Sequence, residues 1–414
     1  TIPVEYCYIT VIASIFISFA MLALLFGLTI SVILGLVVKA VISQRDHLVI
    51  LSHGLSGNRR DLTYLSNILE SAGCVVLKSA SNEYTKSFNG VEIGGRNLVR
   101  EIEYLRSLQP QLNRISFVGN SLGGLYARFA IQELFDNSTN TMQGLVPHKF
   151  MTIATPHLGV RDYTFLDEYG LHVPAFLKTM VSKVLGKTGE ELLGTEIISS
   201  ASLPPFVGSD GKLNGDSSSS TSSGNVDEAR LSLLYRMATK PEFLNPLRAF
   251  EQRRLFANLN LDFMVPLGTA AFLSDEEVAN YRSLYSSQES GVVATVHTEQ
   301  QPLPSPQSQS QSQIFHHSDS DKHQQQCSDD ADTKKGECNV TTSSILTKAL
   351  LKEAMRAGLD SCGWQKVIVN FSGFIPLAHN KIAALTKYTE ALDRLLGFTE
   401  GRFVMDEAAE WLLS

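Results

Sequence analysis

Apolar residues fall along this chain in three rhythms. The first is unbroken: from Tyr8 to Val38 no charged residue occurs, and only Thr, Ser and Gly interrupt the run. A helix rising ~1.5 Å per residue over that stretch would exceed the ~30 Å of a bilayer core. It lacks the polar face of a helix docked on a soluble core. The run is also too long for a secretory signal, and the acidic Glu5 precedes it. The pattern predicts an N-terminal hydrophobic anchor within residues 1–46, a single transmembrane helix. Lys39 and Arg45 follow the run and no Lys or Arg precedes it, so the positive-inside bias predicts that the remainder lies in the cytosol.

The second rhythm alternates short apolar runs with helical spacing. His47–Ser52, Cys74–Lys78, Arg114–Gly119, Lys149–Ala154, Arg254–Leu261 and Lys366–Phe371 read as buried strands. Asn58–Ala72, Leu98–Leu108 and Leu122–Phe135 carry helical spacing between them, and Glu407–Leu413 falls in a closing helix. Strands alternating with helices of this length predict a mostly parallel sheet with helices on both faces. In the third rhythm the alternation fails. Gly159–Phe206 is apolar without strand periodicity and reads as short helices and loops, part of a cap or lid insertion over 158–247 with a Ser-rich loop at 214–226. A polar tract over 287–344, containing PLPSPQSQSQSQ, holds too little apolar surface to fold alone.

Composition adjusts this picture little. Of 414 residues, 43% are hydrophobic and 19% charged, enough for a large core. A net charge of −7 without a Lys/Arg cluster argues against nucleic acid as a partner. The five cysteines are odd in number and form no CxxC pair, which suggests neither a disulfide framework nor a zinc site.

The chemistry concentrates at Gly119-Asn120-Ser121-Leu122-Gly123, which sits between a predicted strand and a predicted helix. A serine on such a sharp turn projects its hydroxyl from the sheet, and the glycines permit strand and helix to approach closely. The following helix N-terminus favours developing negative charge. An oxyanion needs two N–H donors, here assigned to Leu122 and to Leu55 in His53-Gly54-Leu55-Ser56-Gly57. A serine also needs a base and an orienting carboxylate, in the chain order Ser, Asp or Glu, His. Asp262 ends a predicted strand. His379 is the one histidine that follows both Asp262 and the last strand. His53 precedes the serine and reads as a residue that shapes its loop. No metal or cofactor is required.

Taken in order, LSHGLSGN, NGVEIGGRNLVREI, ISFVGNSLGGLYARFAI, IATPHLGV, LLYRMA, LRAFEQRRLFANLNLDFMVP, WQKVIVNF and PLAHNKI resemble the serine esterase family of lipase-like α/β-hydrolases, formerly a domain of unknown function. The resemblance implies an α/β-hydrolase domain over 47–414 that hydrolyses esters, with lipids as the expected substrates. It also places Ser121, Asp262 and His379 at the triad positions. One departure stands out. Family members often carry a further histidine near the C-terminus, where this chain has Asp406. A catalytically silent scaffold, a lipid-binding membrane protein and an acyltransferase using the same serine are the alternatives.

Overall fold

The computed structural model describes residues 21–35, 46–161, 184–194, 232–285, 289–301, 349–373 and 376–414. Seven strands form one sheet: β1 (His47–Ser52), β2 (Val75–Lys78), β3 (Arg114–Asn120), β4 (Val146–Ile153), β5 (Gln252–Asn258), β6 (Gly291–His297) and β7 (Gln365–Asn370). Their order is β2-β1-β3-β4-β5-β7-β6. Every neighbouring pair is parallel except β6 and β7. From β1 the chain moves out to β2 and then returns to β3 on the other side. The sheet's topological switch point therefore lies between β1 and β3, where ligands of open α/β sheets collect at the carboxyl ends.

The strand side chains divide between two cores. Leu48, Ile50, Ile115 and Phe117 pack on one face, under α2 (Val91–Leu108) and α3 (Leu122–Leu134). Val49, Leu51, Val118 and Met151 pack on the other, under α1 (Thr63–Ser71) and the C-terminal helix Arg402–Leu413. A strand buried on both faces reads as a continuous apolar run, as β1 does.

Two differences from expectation have physical causes. Helix α2 begins at Val91, well before Leu98, because Gly94 and Gly95 lie inside it as packing glycines. A Cβ on Gly94 would stand 2.1 Å from the Tyr126 ring, and one on Gly95 would stand 2.5 Å from that of Phe129. The expected polar insertion begins with an ordered strand. Val292, Thr295 and Val296 in β6 pair with β7, hidden in the sequence by polar flanks. Finally, no helix among the described residues is long and apolar enough to cross a membrane. The expected transmembrane run extends on both sides beyond the described residues, of which 21–35 form a helix. Its apolar side chains are exposed throughout, Phe26 to 69%. Residues 1–20 and 36–45, most of the expected lid (162–183 and 195–231, with the Ser-rich loop) and 302–348 of the polar tract lie outside the described residues.

Candidate active site

Ser121 stands at the junction of β3 and α3 with φ 54° and ψ −128°. A non-glycine residue at positive φ stores strain of about 1–3 kcal/mol, which persists only where its surroundings over-determine it. Here they do. The Ser121 N–H donates to the Ile153 carbonyl at 2.8 Å. Its carbonyl accepts from Thr155 Oγ1 at 2.9 Å and from the Gly124 N–H at 3.0 Å. The glycines are required by contact: a Cβ on Gly119 would meet Gly124 Cα at 2.3 Å, and one on Gly123 would meet the Ser52 carbonyl oxygen at 2.2 Å.

The loop after β1 lies directly against this turn. A Cβ on Gly54 would be 2.7 Å from Ser121 Cβ and 3.2 Å from Ser121 Oγ. The Gly54 carbonyl accepts from the Gly57 N–H at 3.0 Å and from His53 Nδ1 at 3.0 Å. That carbonyl shares a trans peptide plane with the Leu55 N–H, so the two bonds fix the direction of the N–H as well. Among the described residues, neither the Leu55 nor the Leu122 N–H donates to a carbonyl. Both remain available beside the serine. His53 is buried, which pushes its imidazole below the usual histidine pKa. Since Nδ1 must donate to a carbonyl, Nε2 is a bare acceptor, and it has no hydrogen-bond partner. The histidine expected to shape its loop is therefore bonded within that loop.

Asp262 and His379 meet across the ends of β5 and β7. His379 Nδ1 is 3.0 Å from Asp262 Oδ2. Both side chains are almost fully buried, with 3% of each residue exposed. Oδ1 of the same carboxylate accepts from the Met264 and Val265 N–H groups at 3.0 and 2.8 Å. Oδ2 also accepts from Asn258 Nδ2 at 2.7 Å. Four donors thus address one carboxylate and fix its orientation. A carboxylate accepts only, so Nδ1 carries the histidine proton and Nε2 is left as a base. The backbone adds a tie: the Ala378 N–H, in the turn Ala378–Lys381, donates to the Leu261 carbonyl at 3.2 Å.

Among the described residues, the other histidines have structural partners or sit elsewhere. His157 Nδ1 faces Arg128 Nη1 at 3.3 Å and Nε2 faces Thr152 Oγ1 at 3.0 Å. His148 pairs with Glu251 at 3.0 Å. His297 ends β6, at the start of β7 and so at the rim opposite Asp262. Asp406 is exposed and accepts from the Tyr64 hydroxyl at 2.8 Å. Asn258 escaped the sequence reading. Its one signal is that it ends a strand four residues before the acid.

The sheet order, with a nucleophile turn after β3, an acid after β5 and a histidine after β7, is that of an α/β-hydrolase-like fold. A family model described as "Putative serine esterase (DUF676)" matches residues 42–275, more than half of the chain. That span includes Ser121 and Asp262, and His379 lies beyond it. "Putative lipase C4A8.10" of Schizosaccharomyces pombe is 28% identical over 276 residues, covering 63% of this chain and 30% of that protein. "Putative lipase ROG1" of Saccharomyces cerevisiae is 30% identical over 239 residues, covering 56% of this chain and 29% of that protein. The chain therefore spans under a third of the length of these relatives. Among solved structures, the phospholipase PlaB from Legionella pneumophila is similar at 13% identity and a TM-score of 0.29, over 59% of this chain and 42% of that one. A lipase-esterase related protein from Clostridium acetobutylicum is similar at 12% identity and a TM-score of 0.28, over 57% and 82%.

Proposed function

The chain belongs to the family described as "Putative serine esterase (DUF676)", and from that premise we propose that it hydrolyses a carboxylic ester through an acyl-enzyme on Ser121. The observation that carries this reading is the buried pair of Asp262 and His379 at the same sheet edge as the strained serine turn. In the proposed reaction His379 Nε2 takes the hydroxyl proton as Ser121 Oγ attacks the acyl carbon. Asp262 stabilises the imidazolium that forms. The Leu55 and Leu122 N–H groups receive the tetrahedral oxyanion, which the N-terminus of α3 also favours. His379 then returns the proton to the departing alcohol, and a water, activated by the same base, clears the acyl group.

A lipid acyl ester is the proposed substrate class. Support comes from the lipase names of the relatives and from the exposed apolar helix over 21–35, which suits a membrane surface. On this reading the hydrolase domain is held at a membrane with its site on the cytosolic side.

The test uses a fluorophosphonate probe, which phosphonylates an activated serine. Wild-type protein should label and Ser121→Ala should not. A wild-type protein that resists labelling while it remains folded would return the reading to a silent scaffold. Product analysis with competing alcohols, over a lipid panel, would separate hydrolysis from acyl transfer.

A further inference from the structure

We infer that Ser87 is a positioning residue that ties the segment Gly186–Leu192, between β4 and β5, to the loop donating the Leu55 N–H. The inference rests on the esterase reading above and deepens it. Ser87 is fully buried in the short 3-10 turn Tyr84–Phe88, away from the triad, and it holds three separate parts of the chain together.

Its Oγ accepts the Ser56 N–H at 2.9 Å and donates to the Tyr84 carbonyl at 2.6 Å. Its carbonyl accepts the Tyr126 hydroxyl, from the nucleophile helix α3, at 3.0 Å. The same carbonyl accepts Thr188 Oγ1 at 2.7 Å. Thr188 Oγ1 in turn accepts the Gly90 N–H at 2.8 Å, at the start of α2. Three residues on, Glu191 Oε2 accepts the Val91 N–H at the first position of that helix. The segment Gly186–Leu192 is therefore docked on α2 and on Ser87 through buried polar bonds.

The oxyanion loop needs such an outside hold. The Leu55 N–H is aimed by its two flanking peptides. The preceding one is fixed within the loop, through the Gly54 carbonyl. The following one, Leu55–Ser56, is fixed by Ser87. Ser56 has φ 52°, a left-handed conformation unfavourable for an L residue, so it needs an external partner to persist. A second bond from the same turn, the Tyr84 N–H to the Gly57 carbonyl at 2.9 Å, holds the loop's far side. A change in the seating of Thr188 is thereby transmitted through one residue to the donor loop. An oxyanion donor stabilises only the transition state, so loosening it lowers kcat and leaves substrate binding alone.

The experiment compares full-length wild type, Ser87→Ala, Thr188→Ala and Thr188→Ser. It measures kcat and KM on a short nitrophenyl ester, the fluorophosphonate labelling rate and the thermal midpoint. Loss of a whole oxyanion donor costs about 10²–10³ in kcat, so a misaimed one should cost about tenfold. Ser87→Ala and Thr188→Ala should each lower kcat and the labelling rate by about that factor, with KM within about twofold. Thr188→Ser should restore both rates, since it keeps the hydroxyl. If wild type labels and both alanine variants match its rates, the inference falls while the esterase reading stands. It also falls if KM rises at constant kcat, or if Thr188→Ser stays as slow as Thr188→Ala. If wild type itself does not label, the esterase reading fails first. Should Ser87→Ala not fold, the two Thr188 variants decide alone.

Discussion

Asn258 and His379 share one oxygen of Asp262: Asn258 Nδ2 approaches Oδ2 at 2.7 Å and His379 Nδ1 at 3.0 Å. The carboxylate that faces His379 is thus itself oriented, from a strand end that cannot move without disturbing the sheet. Replacing Asn258 by Asp would set two carboxylates against each other, and like charges at that distance raise the pKa of one of them. The acid limb of the kcat/KM profile against pH should move upward in Asn258→Asp and stay in place in Asn258→Leu. Identical acid limbs in both variants would show that Asn258 has no hold on the acid.

Asp262→Asn should leave the fold intact and cost kcat by roughly four orders of magnitude, the scale at which the wrong histidine tautomer impairs a serine triad. The amide would present a donor to His379 Nδ1 and force the proton onto Nε2. Circular dichroism alongside initial rates on a nitrophenyl ester checks this. A loss below tenfold would remove Asp262 from the mechanism.

Gly54→Ala should extinguish labelling of Ser121 without unfolding the protein. Its methyl would stand 2.7 Å from Ser121 Cβ, below any ordinary contact, and against a side chain first rather than backbone. Gly123→Ala should instead cost stability, because its methyl would meet the Ser52 backbone at 2.2 Å, where nothing flexible can yield. Thermal midpoints and probe labelling of the two variants should therefore separate. Equal effects on both measurements would contradict the contrast.

Stability should fall as pH drops below about 6.5. Burial pushes His47 down to about 3 and drives His157 well below the usual value, while His53 is lowered too. These imidazoles are neutral in the folded chain but take protons in the unfolded one below the ordinary pKa of about 6.5. The stability they provide is complete above that pH and drains away beneath it. For His47 the loss continues to about pH 3. Each histidine contributes a slope of up to about 1.4 kcal/mol per pH unit. His47→Gln should flatten the curve of thermal midpoint against pH between 6.5 and 5, and an unchanged curve would refute its share.

Much of this architecture was legible because local chemistry and global placement agree. Ser121 announces itself through glycines whose removal would bring backbones into collision, and Asp262 and His379 follow strands with unmistakable apolar runs. What resisted reading depends on distant partners. Gly94 and Gly95 look like helix breakers until Tyr126 and Phe129 fill the space they leave. Strand β6 is half-exposed at the sheet edge and takes its register from β7. Asn258 and Ser87 are ordinary polar residues in sequence, and only the fold brings them against Asp262 and Ser56. Spacing on a helix or strand carries no information about such encounters.

Strand β6 runs backwards beside β7, and this decides where the chain departs from the sheet. The Thr298 N–H donates to the Trp364 carbonyl and the Gln301 N–H to that of Ser361, which follows a helix over 349–360, so the exit point and the return are stitched together at the rim opposite the Ser121 turn. A change of chain length between Gln301 and Ser361 therefore starts and ends at that rim. For the experimenter that same spot is a natural place to graft a fluorescent reporter.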